Sequence, residues 1–329
     1  RYISVTGVQT CALPISLKVG DYLPVSRKAL EYKPCYKLDL MKILPPNEYV
    51  YGSEMAKASE VADEGHWWKK HANKTFTIPY SRSDSAYSYL KKTCGKNQQV
   101  VYEPGFVYTK TNTICNYKIP DTIDLDYDFG YLLGAYCAEG CMTKHQISIA
   151  NNDGEFFGPI ERICQKFNLT TKKYVHNNKG KEGWTSSDIR SYSTLMCNIL
   201  EKLCGKLSHG KFIDRSIVFS NPECIRGFLD AYISGDGCIY YDRERSINAT
   251  SVSYRLLLDV QLMMKNMGIM SKIMKSKKCQ EDIVFPTHIT KVENIKQPYL
   301  ISIRNQQCTK LAKILNPRSE EHTSELQSH

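Results

Sequence analysis

Tyr131-Leu132-Leu133-Gly134-Ala135-Tyr136-Cys137-Ala138-Glu139-Gly140 and Phe228-Leu229-Asp230-Ala231-Tyr232-Ile233-Ser234-Gly235-Asp236-Gly237 are two versions of one pattern. Each is an apolar run with small residues four apart, closed by an acid and then a glycine. The acids stand 97 positions apart (139 to 236), a plausible length for one structural repeat. Gly134 and Ala138 share a helix face, as do Ala231 and Gly235, because positions four apart are neighbours on a helix. Small side chains there let two helix backbones approach closely. Leu132, Leu133, Phe228 and Leu229 then point into the flanking cores. Two helices crossing in this way end together and set Glu139 beside Asp236. Carboxylates that close raise each other's pKa, and a divalent cation relieves the repulsion. Gly140 and Gly237 permit the turn that follows each acid.

The flanking sequence repeats as well. Asp124, Asp126 and Asp128 precede the first helix, where acids suit the helix dipole. After it come a hairpin at 140–142 and 146–150, a helix capped by Asp153, strands at 169–175 and 184–190, and a helix at 193–203. The second copy has a helix at 222–235 and a hairpin at 238–241 and 246–249. A helix capped by Ser253, strands at 270–275 and 299–304 and a helix at 308–315 follow. Asn168-Leu169 and Gly268-Ile269 end equivalent helices, and Ile189-Arg190 and Ile303-Arg304 end equivalent strands. Extra residues, about 278–297, separate the later strands of the second copy. The order α-β-β-α-β-β-α thus occurs twice, an α+β fold with pseudo-twofold duplication.

Composition narrows the function classes. The chain has 329 residues, 42% hydrophobic and 24% charged, which is globular rather than disordered. No apolar run approaches the ~20 residues of a membrane-spanning helix, so no membrane partner is expected. Lys and Arg number 44 against 34 Asp and Glu, a surplus that favours a polyanionic partner. Thirteen cysteines without a C-x-x-C, several on apolar helical faces (Cys164, Cys197, Cys204), read as buried reduced thiols. His66 and His71, five apart, read as solvated rather than as metal ligands.

Residues 132–140 and 229–237 resemble the two copies of the dodecapeptide motif of LAGLIDADG (DOD-type) homing endonucleases, in the single-chain form embedded in inteins. The resemblance covers roughly 124–316. It implies antiparallel DNA-binding saddles and cleavage of both strands of double-stranded DNA at a long target site. The implied cofactor is Mg²⁺, with Mn²⁺ as a substitute. It makes Glu139 and Asp236 the catalytic, metal-binding acids, with Arg190 and Arg304 as basic auxiliaries near strand ends. His209-Gly210-Lys211-Phe212-Ile213 resembles the family's Lys-x-Ile-Pro segment between the copies, with Asp214 in place of proline. DNA contacts are expected from Lys144, His145, Gln146, Lys172, Lys173, Lys211, Arg243, Arg245, Lys272 and Lys275, besides the two arginines. The resemblance further implies a cytoplasmic monomer with internal pseudosymmetry, carried between the exteins of a host protein. Two other readings stay open: a splicing element whose nuclease has decayed, and a non-catalytic DNA-binding regulator.

Residues 17–45 alternate in polarity around a Gly-Asp turn and read as short strands. Lys18-Val19-Gly20-Asp21-Tyr22-Leu23-Pro24-Val25 resembles a run of Hint (intein) splicing domains, so this stretch reads as a Hint remnant. Residues 46–123, with helices expected at 52–63 and 81–92, are either an accessory DNA-contacting region or a connecting subdomain with a solvated basic face. Repeat 1 takes 124–207, a linker 208–221, and repeat 2 222–316. Residues 1–16 and 317–329 lack periodicity and resemble translated sequencing adaptor, so the natural protein is expected to continue beyond both.

Overall fold

The computed structural model describes residues 31–45, 48–54, 75–76, 100–101, 103–109, 118–177, 185–240, 245–278, 280–284 and 289–315. The Lys18–Val25 run, Arg243 and nearly all of the helices expected at 52–63 and 81–92 lie outside the described residues.

The chain's first strands are too short to carry a sequence period, and long-range pairing defines them. β1 (Lys37–Asp39) pairs antiparallel with β5 (Thr122–Asp124). β2 (Tyr49–Tyr51) pairs with β3 (Phe106–Thr109), which pairs with β4 (Ile119–Pro120). Leu38, Leu40, Leu44 and Ile123 from this region enter the same buried core as the two motif helices. Cys35 N donates to Phe219 O at 2.9 Å, and Asn221 N donates to Cys35 O at 3.0 Å. The pairing therefore crosses the boundaries expected at 45 and 123, and residues 31–45 are built into the duplicated domain.

α1 (Tyr127–Glu139) starts at Asp126, whose carboxylate accepts from Phe129 N at 2.9 Å. α4 (Pro222–Asp236) starts at Asn221, with Pro222 in the first turn, where a missing N–H costs no hydrogen bond. Asp126 and Asp128 also hold Lys166 and Arg162 of α2 (Gly158–Lys166), each at 2.6 Å, so the acids expected to serve the helix dipole tie two helices together as well.

After α1 come β6 (Gly140–Met142), β7 (Gln146–Ala150), α2, β8 (Thr171–Asn177), β9 (Thr185–Tyr192) and α3 (Thr194–Cys204). After α4 come β10 (Gly237–Tyr240), β11 (Ser246–Ser251), α5 (Tyr254–Asn266), β12 (Lys272–Lys275), β13 (Tyr299–Arg304) and α6 (Gln306–Ile314). The sheets are antiparallel, ordered β8-β9-β7-β6 and β12-β13-β11-β10, one topology used twice. The expected α-β-β-α-β-β-α duplication is what the chain forms. Equivalent helix ends match in detail. Asn168 (φ 53°) and Gly268 (φ 76°) both turn left-handed. Leu169 N then closes on Cys164 O, and Ile269 N on Met264 O, each at 2.8 Å.

The strand register corrects one sequence match. Gly140 faces Ile149 and Ile149 faces Ile189, while Gly237 faces Ala249 and Ala249 faces Ile301. Ile189 therefore corresponds to Ile301, Arg190 to Ser302, and Tyr192 to Arg304. Matching Ile189-Arg190 with Ile303-Arg304 slips by two residues. A slip of two keeps every side chain on its own face of the pleat, so the hydrophobic pattern cannot detect it.

Ile147, Ile149 and Ile189 in one sheet, and Ile247, Ala249, Ile301 and Ile303 in the other, pack against the helices. Alternate residues point away from the core, so among the described residues the outer face of each sheet carries mostly polar side chains.

Candidate active site

A β-carbon on Gly130 would lie 2.0 Å from Cys224 O, one on Gly134 2.2 Å from Phe228 O, and one on Gly227 2.0 Å from Tyr127 O. α1 and α4 thus run parallel with their backbones in direct contact. At the far end a β-carbon on Gly235 would meet Ala138 Cβ at 2.7 Å and Glu139 Cγ at 3.1 Å. The predicted stripe of Gly134, Ala138, Ala231 and Gly235 omits Gly130 and Gly227. Both continue the same four-residue spacing one turn earlier, which is the signal that finds them. Tyr127 also donates across the crossing to the buried carboxylate of Asp230. Gly140 and Gly237 have ordinary extended backbones (φ −86° and −79°). Their need for glycine is spatial: a β-carbon would sit 2.5 Å from Tyr136 Cα and 2.2 Å from Ile233 O respectively.

This crossing brings Glu139 and Asp236 together as the last residues of their helices. Asp236 is partly buried and Glu139 more exposed, and among the described residues neither is hydrogen-bonded or ion-paired. Burial raises the pKa of Glu139, opposed by the charge of Lys211. Burial and then the neighbouring Glu139 charge push Asp236 up to about 7, again opposed by Lys211. Two helix C-termini, each with partial negative charge, end at the same point. The result is a concentrated negative site with free carboxylate oxygens.

Lys211 departs from the expectation that it contacts DNA. It is buried, and its ammonium donates to the carbonyls of Tyr136, Cys137 and Gly140, each at 2.9 Å. These are the open carbonyls at the end of α1, which a lysine satisfies in both hydrogen bonding and charge. Ser253 Oγ holds the Lys211 carbonyl at 2.6 Å, and the Asp259 carboxylate accepts from Ile213 N at 3.0 Å. All three donors of the ammonium are used, so Lys211 positions α1 and acts on the acids from beneath.

The other predicted residues divide by strand parity. Lys172, Arg190, Ser148 and Cys141 form one registered row on the outer face of the first sheet. Lys272, Ser302, Asn248 and Cys238 form the matching row of the second. Arg304 is also on the outer face, opposite Ser246. Lys173 is not: it shares the face of Ile189, pairs with Glu161 of α2 at 3.1 Å and lies over the Phe157 ring. Lys275 likewise shares the helix-side face of Ile273, opposite Tyr299. Neighbours on a strand cannot both reach the outer face. Lys144 and His145 lie in the β6–β7 turn, with His145 Nδ1 2.7 Å from Thr194 Oγ1, and Gln146 opens β7 opposite Tyr192. Arg245 precedes β11, its carbonyl accepting from Asn305 N at 3.0 Å. Arg190 is held by Asp188 rather than by the two acids, and Arg304 Nε lies 3.4 Å from Ser302 Oγ. Among the described residues, the cation acting on both carboxylates is Lys211.

Two α-β-β-α-β-β-α halves joined through parallel, acid-tipped helices define the LAGLIDADG fold. Residues 126–203 and 223–298 match the LAGLIDADG-like domain family, one match to each half. It is similar to DNA-directed RNA polymerase subunit Rpo1C of Methanocaldococcus jannaschii, 32% identical over 199 residues, 60% of this chain and 22% of that protein. It is also similar to ribonucleoside-diphosphate reductase NrdEB subunit alpha of Bacillus subtilis, 24% identical over 200 residues, 56% of this chain and 18% of that one. The chain spans less than a quarter of either relative. Among solved structures, "The crystal structure of I-DmoI in complex with DNA and Ca" aligns with 62% of this chain and 99% of that one, at 15% identity and a TM-score of 0.40.

Proposed function

We propose that the chain is a sequence-specific double-strand DNA endonuclease that hydrolyses phosphodiester bonds with a divalent cation, and that it is carried within a host protein as an intein. The observation that carries the nuclease reading is the meeting of Glu139 and Asp236 between two equivalent sheets. Among the described residues both carboxylates lack hydrogen-bond and ion-pair partners, and the cation whose charge acts on both is a lysine already spent on carbonyls. That donor set fits a hard cation such as Mg²⁺. Among the described residues no cluster of three or more His, Cys, Asp or Glu gathers to hold a metal, so the remaining ligands would be backbone, water or phosphate oxygens.

In this mechanism the outer sheet faces hold the duplex. Lys172, Lys272 and Arg304 contact phosphates, and the net charge of +10 draws the polyanion in. Glu139 and Asp236 are the residues that would hold the cation. A bound divalent cation would lower the pKa of an attacking water and steady the leaving oxygen. Lys211 fixes the end of α1 and keeps Glu139 ionised more readily than burial alone would allow. The intein reading rests on the comparisons. About 200 residues are shared with an RNA polymerase subunit and with a reductase, enzymes of different chemistry, as expected of a segment housed in unrelated hosts.

The test is cleavage of a plasmid library carrying randomised sites, in magnesium. Glu139→Gln and Asp236→Asn should each abolish cutting while retaining DNA binding, and EDTA should do the same to the natural chain. Cleavage that persists in both variants removes the two-carboxylate assignment.

A further inference from the structure

Asp188 is a carboxylate on the outer face of the first sheet, the face proposed to receive phosphates, yet it is only 6% exposed. Its own donors cover it. Ser148 Oγ donates at 3.0 Å, His176 Nε2 bonds the second oxygen, and Arg190 donates through Nε and, at 3.3 Å, through Nη2. Burial alone would raise its pKa, but the bonds from Arg190, His176 and Ser148 hold it below the usual range. The guanidinium of Arg190 also lies 4.4 Å over the Tyr174 ring, whose hydroxyl is 3.2 Å from that of Tyr192. One edge of the guanidinium, Nε and Nη2, is therefore fixed by Asp188 and its plane by Tyr174. The end-on pair, Nη1 and the remaining Nη2 hydrogen, faces away from Asp188, although Nη2 also lies 3.4 Å from His176 Nε2, itself bonded to Asp188.

The fold does not require this cluster. The matching positions of the second sheet hold Leu300 for Asp188, Ser302 for Arg190 and Met274 for Tyr174, and that sheet keeps the same ladder. A bare acid on a DNA-facing surface would repel phosphate, but an acid consumed in holding an arginine would not. An arginine held flat, with its end-on Nη1–Nη2 edge turned away from its carboxylate, matches the O6 and N7 acceptors of guanine in the major groove.

We propose that Arg190 is a specificity-determining residue that reads a guanine in one half of the target, and that Asp188 is the positioning residue that aims it. This rests on the outer sheet faces being the DNA-binding surface. The test is selection of bound duplexes from a randomised pool, in EDTA so that no strand is cut. The natural chain, Arg190→Gln, Asp188→Asn, Asp188→Leu and Lys172→Ala are compared, with thermal melting to confirm that each folds. The natural chain should enrich a motif. Arg190→Gln and both Asp188 variants should each lose roughly tenfold of the preference for guanine at one and the same position. Lys172→Ala should weaken binding to all sequences alike. An unchanged motif, or a uniform loss of affinity with no change at any position, overturns the proposal. Loss of the guanine with Arg190→Gln but not with either Asp188 variant overturns the positioning role. Failure of the natural chain to enrich any motif overturns the DNA-binding reading beneath it.

Discussion

Replacing Lys211 with methionine would leave the carbonyls of Tyr136, Cys137 and Gly140 without their shared donor in a buried place. The expected loss of stability is about 3 kcal/mol, measured by urea denaturation, because buried acceptors left unpaired forfeit most of their solvation. Asp236 makes a second prediction. Folded, it titrates at about 7; unfolded, near the ordinary aspartate value of about 3.9. Between those values the folded protein holds a proton that the unfolded chain has released. Stability therefore falls as pH rises from about 4 to about 7, by at most ~4 kcal/mol from this group. In EDTA the natural chain should melt at lower temperature at pH 8 than at pH 5, and Asp236→Asn should flatten that difference. The two acids were legible in the sequence because each closes a repeated motif. Lys211 was legible as a basic residue of the linker and hence as a DNA contact, since no spacing rule links it to carbonyls about 70 residues earlier. The same holds for Asp188, which gains its meaning from Arg190 beside it and Ser148 across the ladder.

At the scale of elements, helical spacing identified the crossing and strand alternation identified the sheets, because both periods are local. Register is not local. The two-residue slip between Arg190 and Arg304, and the loss of Lys173 and Lys275 to the helix side, arise from pairing that the chain settles only on folding. β1 and β5 were illegible for a related reason: three residues carry no period, and their partners lie more than eighty positions away. The crossing itself can be tested. Gly227→Ala places a methyl on Tyr127 O and should cost about 3 kcal/mol. Gly154→Ala, with nothing within 4 Å, should shift stability by no more than about 0.5 kcal/mol. Equal effects of the two in denaturant titrations would show that the helices have room to part.

For the whole molecule, charge and duplication act together. DNA affinity should fall steeply with salt, and Lys172→Ala or Lys272→Ala should each reduce the slope of log K against log salt by about one. Lys173→Ala, on the helix side of its sheet, should leave that slope unchanged. The halves share a topology but not a surface. The first sheet carries the Asp188–Arg190 cluster; the second carries Leu300 and Ser302 in its place and has additional residues between β12 and β13. A target read by these faces is therefore asymmetric, with the two ends recognised by different chemistry.

The contact of Gly130, Gly134 and Gly227 with opposing carbonyls has a consequence for how such a molecule changes. Three glycines without room for a methyl act as rivets, so the two jaws cannot slide or spread relative to each other. The gap between them is a ruler of fixed length. On the proposed DNA-reading function, a lineage descended from this chain would acquire new letters in its target by exchanging side chains on either jaw, while the number of letters between them would be set by the rivets.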